Sequence, residues 1–190
     1  MMDLQSLKQD LALRNKNGLP FLLSGIVVWT LITAAFLLPI ELRLQNIALL
    51  ALTGLLFPVA IGLAGLLKAD WKSEDNPLGS LGLVCNLAQF AYFPLVFWAL
   101  GSRPEAMVFV FAVIAGAHFL PYGWLYDTKA YYIMAPVMAI VSTLVGWAAA
   151  PDSLWTVPLA FLILLAALNV WLLADYKKKS GIAGMEKRAA

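Results

Sequence analysis

Polar side chains that could support chemistry are rare in the long apolar runs of this sequence, and five of them fall on two successive runs. Asn86 and Gln89 lie three residues apart, which places them on one face of a helix, and Tyr92 follows them. In the next run, His118 and Tyr122 lie four residues apart and also share a face. A polar or ionisable side chain inside a membrane is costly and by default marks a ligand site or a pathway. These five residues are therefore the first candidates for a functional site.

The position of each residue along its run predicts that the two groups meet. Asn86 and His118 each lie eight residues from the same end of two antiparallel runs, about 12 Å deep at 1.5 Å per residue. We therefore expect His118 to hydrogen-bond to the third helix, at Asn86 or Gln89, directly or through one water. Asn169, in the sixth run, lies at a slightly shallower level and is a further candidate.

The same residues have a structural interpretation. Asn, Gln and His side chains hold membrane helices together through hydrogen bonds of about 0.6–2 kcal/mol each. For Asn169 this interpretation is the favoured one, whereas for His118, Asn86 and Gln89 the functional and structural interpretations both stay open.

Cysteine and histidine counts restrict the remaining chemistry. The chain has one cysteine, Cys85, and one histidine, His118. One chain therefore cannot form an internal disulfide, a zinc site with several histidines, or a bis-histidine haem site. Nothing in the sequence orients His118 to activate Cys85 as a nucleophile. We expect no catalytic residue, no cofactor and no metal, and hence a protein that is not an enzyme.

The elements that must position these residues are membrane helices. Hydrophobic residues make up 62% of the 190 residues and charged residues only 13%, and the mean hydropathy is +0.83. This composition excludes a disordered chain, a nucleic-acid binder and an ordinary soluble enzyme. Each uncharged apolar run has about the 20 residues that a membrane-spanning helix needs. The sequence thus predicts an all-α, polytopic membrane bundle of six transmembrane helices, at Pro20–Ile40, Ile47–Leu67, Leu78–Leu100, Ala106–Tyr126, Ala130–Ala150 and Leu154–Ala174.

The distribution of charge predicts the topology. Eleven of the thirteen lysines and arginines fall in the termini and in the second and fourth loops, and only Arg43 and Arg103 fall on the other side. The positive-inside rule then places both termini in the cytoplasm. Six of the seven tryptophans lie near the ends of the runs, where aromatic belts form, and Trp29 is expected to pack between helices.

The segments outside the spans are short. Residues 1–19 carry Leu4, Leu7 and Leu11 at helical spacing, which predicts an amphipathic helix on the inner leaflet rather than a cleaved signal peptide. Residues 20–175 form the transmembrane domain. Residues 176–190 form a basic tail, expected to be disordered and to contact anionic lipid head groups.

Prolines inside the runs predict kinks that face the bundle interior and line a cavity. They are Pro58, Pro94, Pro121 and Pro136.

A weak internal sequence similarity suggests two inverted halves of three helices each, which is a known arrangement in transporters. The stretch 36–39 resembles 118–121, and the stretch 57–59 resembles 135–137.

Two stretches carry a resemblance to a known family. Asp75-Asn76-Pro77-Leu78-Gly79 and the run from Gly116 to Tyr126 resemble those of an uncharacterised family of short bacterial membrane proteins of unknown function. The resemblance covers nearly the whole chain. It implies a bacterial cytoplasmic membrane, and it implies no activity and no catalytic residue.

Two hypotheses about function follow. The first is a transporter, channel or lipid-handling protein with a polar site between the third and fourth helices, which would take a small polar or lipidic ligand. The alternative is a non-catalytic structural or stress-response membrane protein that acts through partners or as a homo-oligomer. Both involve membrane lipids as partners, and neither involves nucleic acid.

Overall fold

The computed structural model describes the backbone of residues 3–189 and the side chains of residues 3–185. All regular structure in this range is helical, with three short 3-10 helices at Lys16–Gly18, Gln89–Tyr92 and Pro151–Ser153. The α-helices are α1 (Leu4–Arg14), α2 (Leu19–Leu37), α3 (Leu42–Thr53), α4 (Leu56–Leu67), α5 (Pro77–Ala88), α6 (Phe93–Ser102), α7 (Pro104–Ala117), α8 (Leu120–Leu125), α9 (Lys129–Ala148) and α10 (Thr156–Ala189).

Six helical spans are long and apolar enough to cross a membrane, so the predicted all-α, six-helix membrane bundle is confirmed. We number them in chain order from the first span to the sixth. They are Lys16–Leu37, Leu42–Leu67, Pro77–Ser102, Pro104–Leu125, Lys129–Ala148 and Pro151–Met185.

Local sequence signals set where several helices begin and end. The Asp3 side chain accepts a hydrogen bond from the Ser6 amide at 2.7 Å and so caps α1. Asn76 caps α5 by accepting from the Leu78 amide at 3.0 Å. Thr128 caps α9 by accepting from the Ala130 amide at 3.4 Å. The helix α2 ends at Leu37 because Pro39 has no N–H to continue the helical hydrogen bonds.

The first, fourth, fifth and sixth spans form the packed centre of the bundle. Trp29 of the first span is buried and stacks on Phe161 of the sixth, with ring centroids 4.0 Å apart, as expected for a tryptophan between helices. The second span lies against the first, and the outer half of the third span, α6, lies against α7. The other half of the third span, α5, has no buried residue and touches only α1, α8 and the adjoining 3-10 turn among the main helix contacts.

Three of the four interior prolines lie just after a break in their span. A proline cannot donate to the carbonyl four residues earlier, and its ring crowds that carbonyl. The second span is therefore interrupted between α3 and α4 before Pro58, the third passes through a 3-10 turn before Pro94, and the fourth is interrupted before Pro121. Pro136, in contrast, lies inside the uninterrupted helix α9.

The expected orientation of these prolines is wrong, because all four lie on the exposed outer surface of the bundle. Beside Pro136, Ala135 and Met138 are buried and keep the packed face of α9 regular. The disturbed turns are thus directed away from the helix–helix contacts, and these kinks do not line an interior cavity.

The two halves of the chain do not pack alike. The sixth span contacts the first, fourth and fifth, whereas the third contacts mainly the fourth span and α1. The helix contacts of the described residues therefore do not reproduce the inverted repeat of three helices that the internal sequence similarity suggests.

The segments at both chain ends differ from the sequence expectations. We call the end of the bundle that carries α1, loops 68–76 and 126–128 and the end of α10 the terminal face, and the opposite end, with loops 38–41 and 149–155, the loop face. The helix α1 forms as predicted, but it docks on the terminal face, with Leu11 and Ala12 buried. The tail is not disordered over its described part, because α10 continues as helix to Ala189. Met1, Met2, Ala190 and the side chains of residues 186–189 lie outside the described residues.

Candidate functional site

The third and fourth spans are neighbours, as the depth argument predicts. The Tyr122 hydroxyl on α8 donates to the Gly82 carbonyl on α5 at 2.9 Å. Asn86 lies next to the same hydroxyl. The Gln89 amide donates to Asn86 Oδ1 at 3.1 Å, so the two amides of the third span form a pair. The structure thus brings Asn86, Gln89 and Tyr122 into one region at the contact of these spans.

His118 makes no direct hydrogen bond to the third span among the described residues. Its Nδ1 lies 2.6 Å from the carbonyl oxygen of Ala115, one turn earlier in the same span. The break before Pro121 explains this choice. The Phe119 amide turns to Gly116 O at 3.2 Å, so Ala115 O lacks its usual helical donor and the His118 ring replaces it.

Tyr92 and Asn169 do not join this region. The Tyr92 side chain is exposed on the bundle surface. Asn169 is buried and donates to Leu165 O of its own helix at 2.9 Å, while its Oδ1 has no partner among the described residues. The interhelical bond expected of Asn169 is therefore not formed.

A second polar cluster, which sequence reasoning missed, lies on the terminal face. Its centre is Asn17, which is fully buried and has a left-handed φ of 54°. The Asn17 amide donates to Asp175 Oδ2 at 3.0 Å, and its backbone carbonyl accepts from the Tyr131 hydroxyl at 2.8 Å. A buried amide whose donor and backbone acceptor are both used fixes the relative positions of the first, fifth and sixth spans.

Lys179 completes this cluster. Its ammonium group forms an ion pair with Asp175 at 2.7 Å and donates to the backbone carbonyls of Tyr126 at 2.8 Å and Asp127 at 3.1 Å. It also lies 3.4 Å from Asn17 Oδ1. We call Asn17, Tyr126, Tyr131, Asp175 and Lys179 the terminal junction. Because Lys179 is committed to these contacts, it is not a free charge for lipid head groups.

A surface layer surrounds the terminal junction and holds α1 in place. Arg14 donates through Nε to Asp70 at 3.0 Å, and Asn76 donates to Leu7 O and to Asp10, each at 2.9 Å. The backbone amide of Ser73 and, next, the Arg14 guanidinium lower the pKa of Asp70 below its ordinary value. Loop 68–76 is therefore ordered against α1.

Left-handed backbone conformations concentrate on this face. Among residues 3–189, the non-glycine residues with positive φ are Lys16, Asn17, Lys68, Ser73 and Asp127. Such residues persist only where the surrounding contacts hold them, and they cluster at functional or tightly specified sites. The Asn17-Gly18 dipeptide is the one sequence signal that could have indicated a left-handed turn here.

Two cavities open on the loop face. One, of about 440 Å³, lies between loop 38–41 and the segment that leads into α10. The other, of about 290 Å³, lies beside Arg103 and Glu105. Neither is lined by Asn86, Gln89 or His118. Within residues 3–185, no group of three His, Cys, Asp or Glu side chains is placed to hold a metal ion.

Comparison with known proteins identifies the class and the family. The six long, apolar helical spans define a multi-pass membrane protein. The chain belongs to the family of unknown function DUF7010, whose model matches residues 4–175. The match spans all of the first five spans and most of the sixth. No curated protein and no solved structure matches the chain.

Proposed function

We propose that this protein is a non-catalytic membrane protein that acts as a homo-oligomer, in which α5 of the third span forms the contact between subunits. The observation that carries this proposal is the amide pair of Asn86 and Gln89. Both side chains are only half-buried, on a span segment that the rest of the bundle leaves uncovered.

The surroundings of the amide pair are apolar and exposed. Leu83 and Phe90, which lie three and four residues from Asn86 and so share its helix face, are each more than half exposed. In a bilayer this face meets hydrocarbon, where an amide group without a partner costs several kcal/mol. A second protein surface that covers the pair removes this cost.

The chemistry of the pair favours a second copy of the same chain. Only one N–H of Gln89 and one oxygen of Asn86 are used between the two side chains. The Gln89 oxygen accepts no hydrogen bond from the described residues, while amide N–H groups remain to donate. A patch that carries both donors and acceptors is self-complementary, as the two-fold contact of a homodimer requires. Asn and Gln hydrogen bonds between membrane helices supply about 0.6–2 kcal/mol each.

We expect the variant with Asn86→Leu and Gln89→Leu to dissociate at least about tenfold more readily than the wild type, because both amides leave the contact. The measurement is single-molecule photobleaching or energy transfer in vesicles over a series of protein-to-lipid ratios. Thr30→Val is the matched control, because Thr30 is an exposed polar residue of the first span that bonds only to Ile26 O of its own helix. A wild type that stays monomeric at every ratio contradicts the proposal, and so does a double variant that assembles like the wild type.

The second candidate is a transporter, channel or lipid-handling protein with its site between the third and fourth spans. The observation that favours it is the grouping of Asn86, Gln89 and Tyr122 beside His118, where a small polar or lipidic ligand would find donors and acceptors inside the membrane. Water or ligand density beside the His118 ring in an experimental map would favour this candidate over the first.

We further propose that the membrane is the bacterial cytoplasmic membrane and that the terminal face lies in the cytoplasm. The support for the membrane is the resemblance of residues 75–79 and 116–126 to short bacterial membrane proteins. The support for the orientation is the lysine and arginine excess on that face, with only Arg43 and Arg103 on the loop face. Reporter domains that are active only in the cytoplasm are expected to be active at either end of the chain. Activity of a periplasmic reporter at either end would contradict this orientation.

A further inference from the structure

The loop face holds a cavity whose walls differ in chemistry from the rest of the bundle. It measures about 440 Å³, which is within the usual size of small-molecule sites. Phe36, Leu38 and Gln45 line one side, and Asp152 and Trp155 line the other. The cavity thus lies between the end of the first span and the start of the sixth.

The first wall is rich in backbone acceptors. It is built from the end of α2 and the turn after it, where helical carbonyl groups lose their donors and the negative end of the helix dipole lies. Gln45 donates to Phe36 O at 3.4 Å and to Leu38 O at 3.1 Å, so its amide already uses one acceptor position of each carbonyl. The negative end of the α2 dipole makes this wall favourable for a positively charged group.

The second wall adds a carboxylate and an aromatic ring. Asp152 is exposed and makes no ion pair among the described residues, and no lysine or arginine lines the cavity. Trp155 is half-buried beside it. A carboxylate together with an indole ring is the combination that binds organic ammonium groups, through charge attraction and cation–π contact.

We propose that this cavity binds an organic ammonium group, as a primary or quaternary amine, with Asp152 as its counter-charge and Trp155 as its aromatic contact. A free amine and the amine head group of a phospholipid share this chemistry. The cavity opens on the loop face, at the ends of the spans, where a free amine or a lipid head group can reach it.

The neighbouring cavity supplies a matched control. It also has a carboxylate, Glu105, on the same face of the bundle. Arg103 lies 3.7 Å from Glu105 and already neutralises it. Glu105→Gln therefore removes one negative charge from the loop face without touching the proposed site.

The experiment has two arms, one for each source. In the first, ethanolamine or choline is titrated calorimetrically into protein held in phosphatidylglycerol nanodiscs. In the second, the thermal unfolding midpoint is compared between phosphatidylethanolamine and phosphatidylglycerol nanodiscs. Asp152→Asn, Asp152→Glu, Trp155→Leu and Glu105→Gln are measured beside the wild type, and circular dichroism confirms that each variant is folded.

We expect Asp152→Asn to weaken amine binding at least about tenfold, or to abolish the added stability in phosphatidylethanolamine, while Asp152→Glu and Glu105→Gln retain most of it. An Asp152-dependent response in the first arm identifies a free amine, and a response confined to the second arm identifies the lipid head group. The proposal is overturned if neither arm responds in the wild type, or if Asp152→Asn and Glu105→Gln behave alike. If Asp152 only stabilises the start of the helix, Asp152→Asn will lower the unfolding midpoint equally in both lipids. This result also overturns the proposal.

Discussion

Replacing Lys179 with alanine is expected to lower the free energy of unfolding by about 2 kcal/mol, because the change leaves a partly buried carboxylate and two backbone carbonyls without their cation. Asp175 would lose its ion-pair partner at 2.7 Å, and the carbonyls of Tyr126 and Asp127 would lose a shared donor. The measurement is equilibrium unfolding in mixed micelles, followed by circular dichroism.

Lys178→Ala is the matched control for this prediction. Lys178 precedes Lys179 in the same helix and is exposed, so we expect its loss to change the unfolding free energy by less than about 0.5 kcal/mol. The double variant with Lys179→Met and Asp175→Leu tests the mechanism, since it removes both charges at once. It should be more stable than Lys179→Ala alone. Equal effects of Lys178→Ala and Lys179→Ala would contradict the role of the terminal junction.

Replacing Gly146 with alanine is expected to destabilise the protein by about 2–3 kcal/mol. Gly146 of α9 lies against Phe109 of α7, and an added Cβ would collide with the Cβ of Phe109. The Cβ of Phe109 is fixed to its backbone and cannot rotate away, so the two helices would have to separate. This pair of helices shares the most extensive contact between two spans among the described residues.

Gly101→Ala provides the comparison for this second prediction. Gly101 lies in α6, and a Cβ added there would meet nothing within 4 Å. Alanine should be neutral or slightly stabilising at this position, because it is the better helix former. Both variants are measured by the same unfolding assay. A Gly146→Ala protein as stable as the wild type would contradict the prediction, because it would show that α7 and α9 can accommodate the added methyl group at little cost.

The sequence predicts the spans well because the membrane imposes a simple physical requirement on them. About 20 apolar residues are needed to cross the hydrocarbon, and each predicted run falls within one of the six spans to within a few residues. The same argument placed Trp29 between helices, since a tryptophan so far from either interface needs protein around it.

The direction in which each residue faces is harder to predict. Apolar residues face both lipid and protein in a membrane bundle, so hydropathy does not distinguish the outer from the inner side of a helix. Helix kinks predict prolines that face an interior cavity, whereas all four prolines lie on the outer surface. His118 bonds to a carbonyl of its own span that the helix break leaves without a backbone donor. Residue spacing alone does not indicate such a break.

The terminal junction lay beyond the sequence argument for a different reason. Its polar residues lie in segments that look like a solvated lead-in and a basic tail, because Asn17 and Lys179 are typical of exposed positions. The Asn17 side chain bonds to residues 155 or more positions away, namely Leu172 and Asp175. Composition and periodicity report local structure and contain no information about such pairs.

The same long separations bear on how the protein is made. Asn17 is synthesised first but finds its side-chain partners, Asp175 and Lys179, 158 and 162 residues later. During translation the Asn17 amide can therefore form these hydrogen bonds only after the sixth span has been inserted. A chain interrupted before residue 172 would lack both acceptors of this amide, and its first span would stay without the bonds that join it to the sixth.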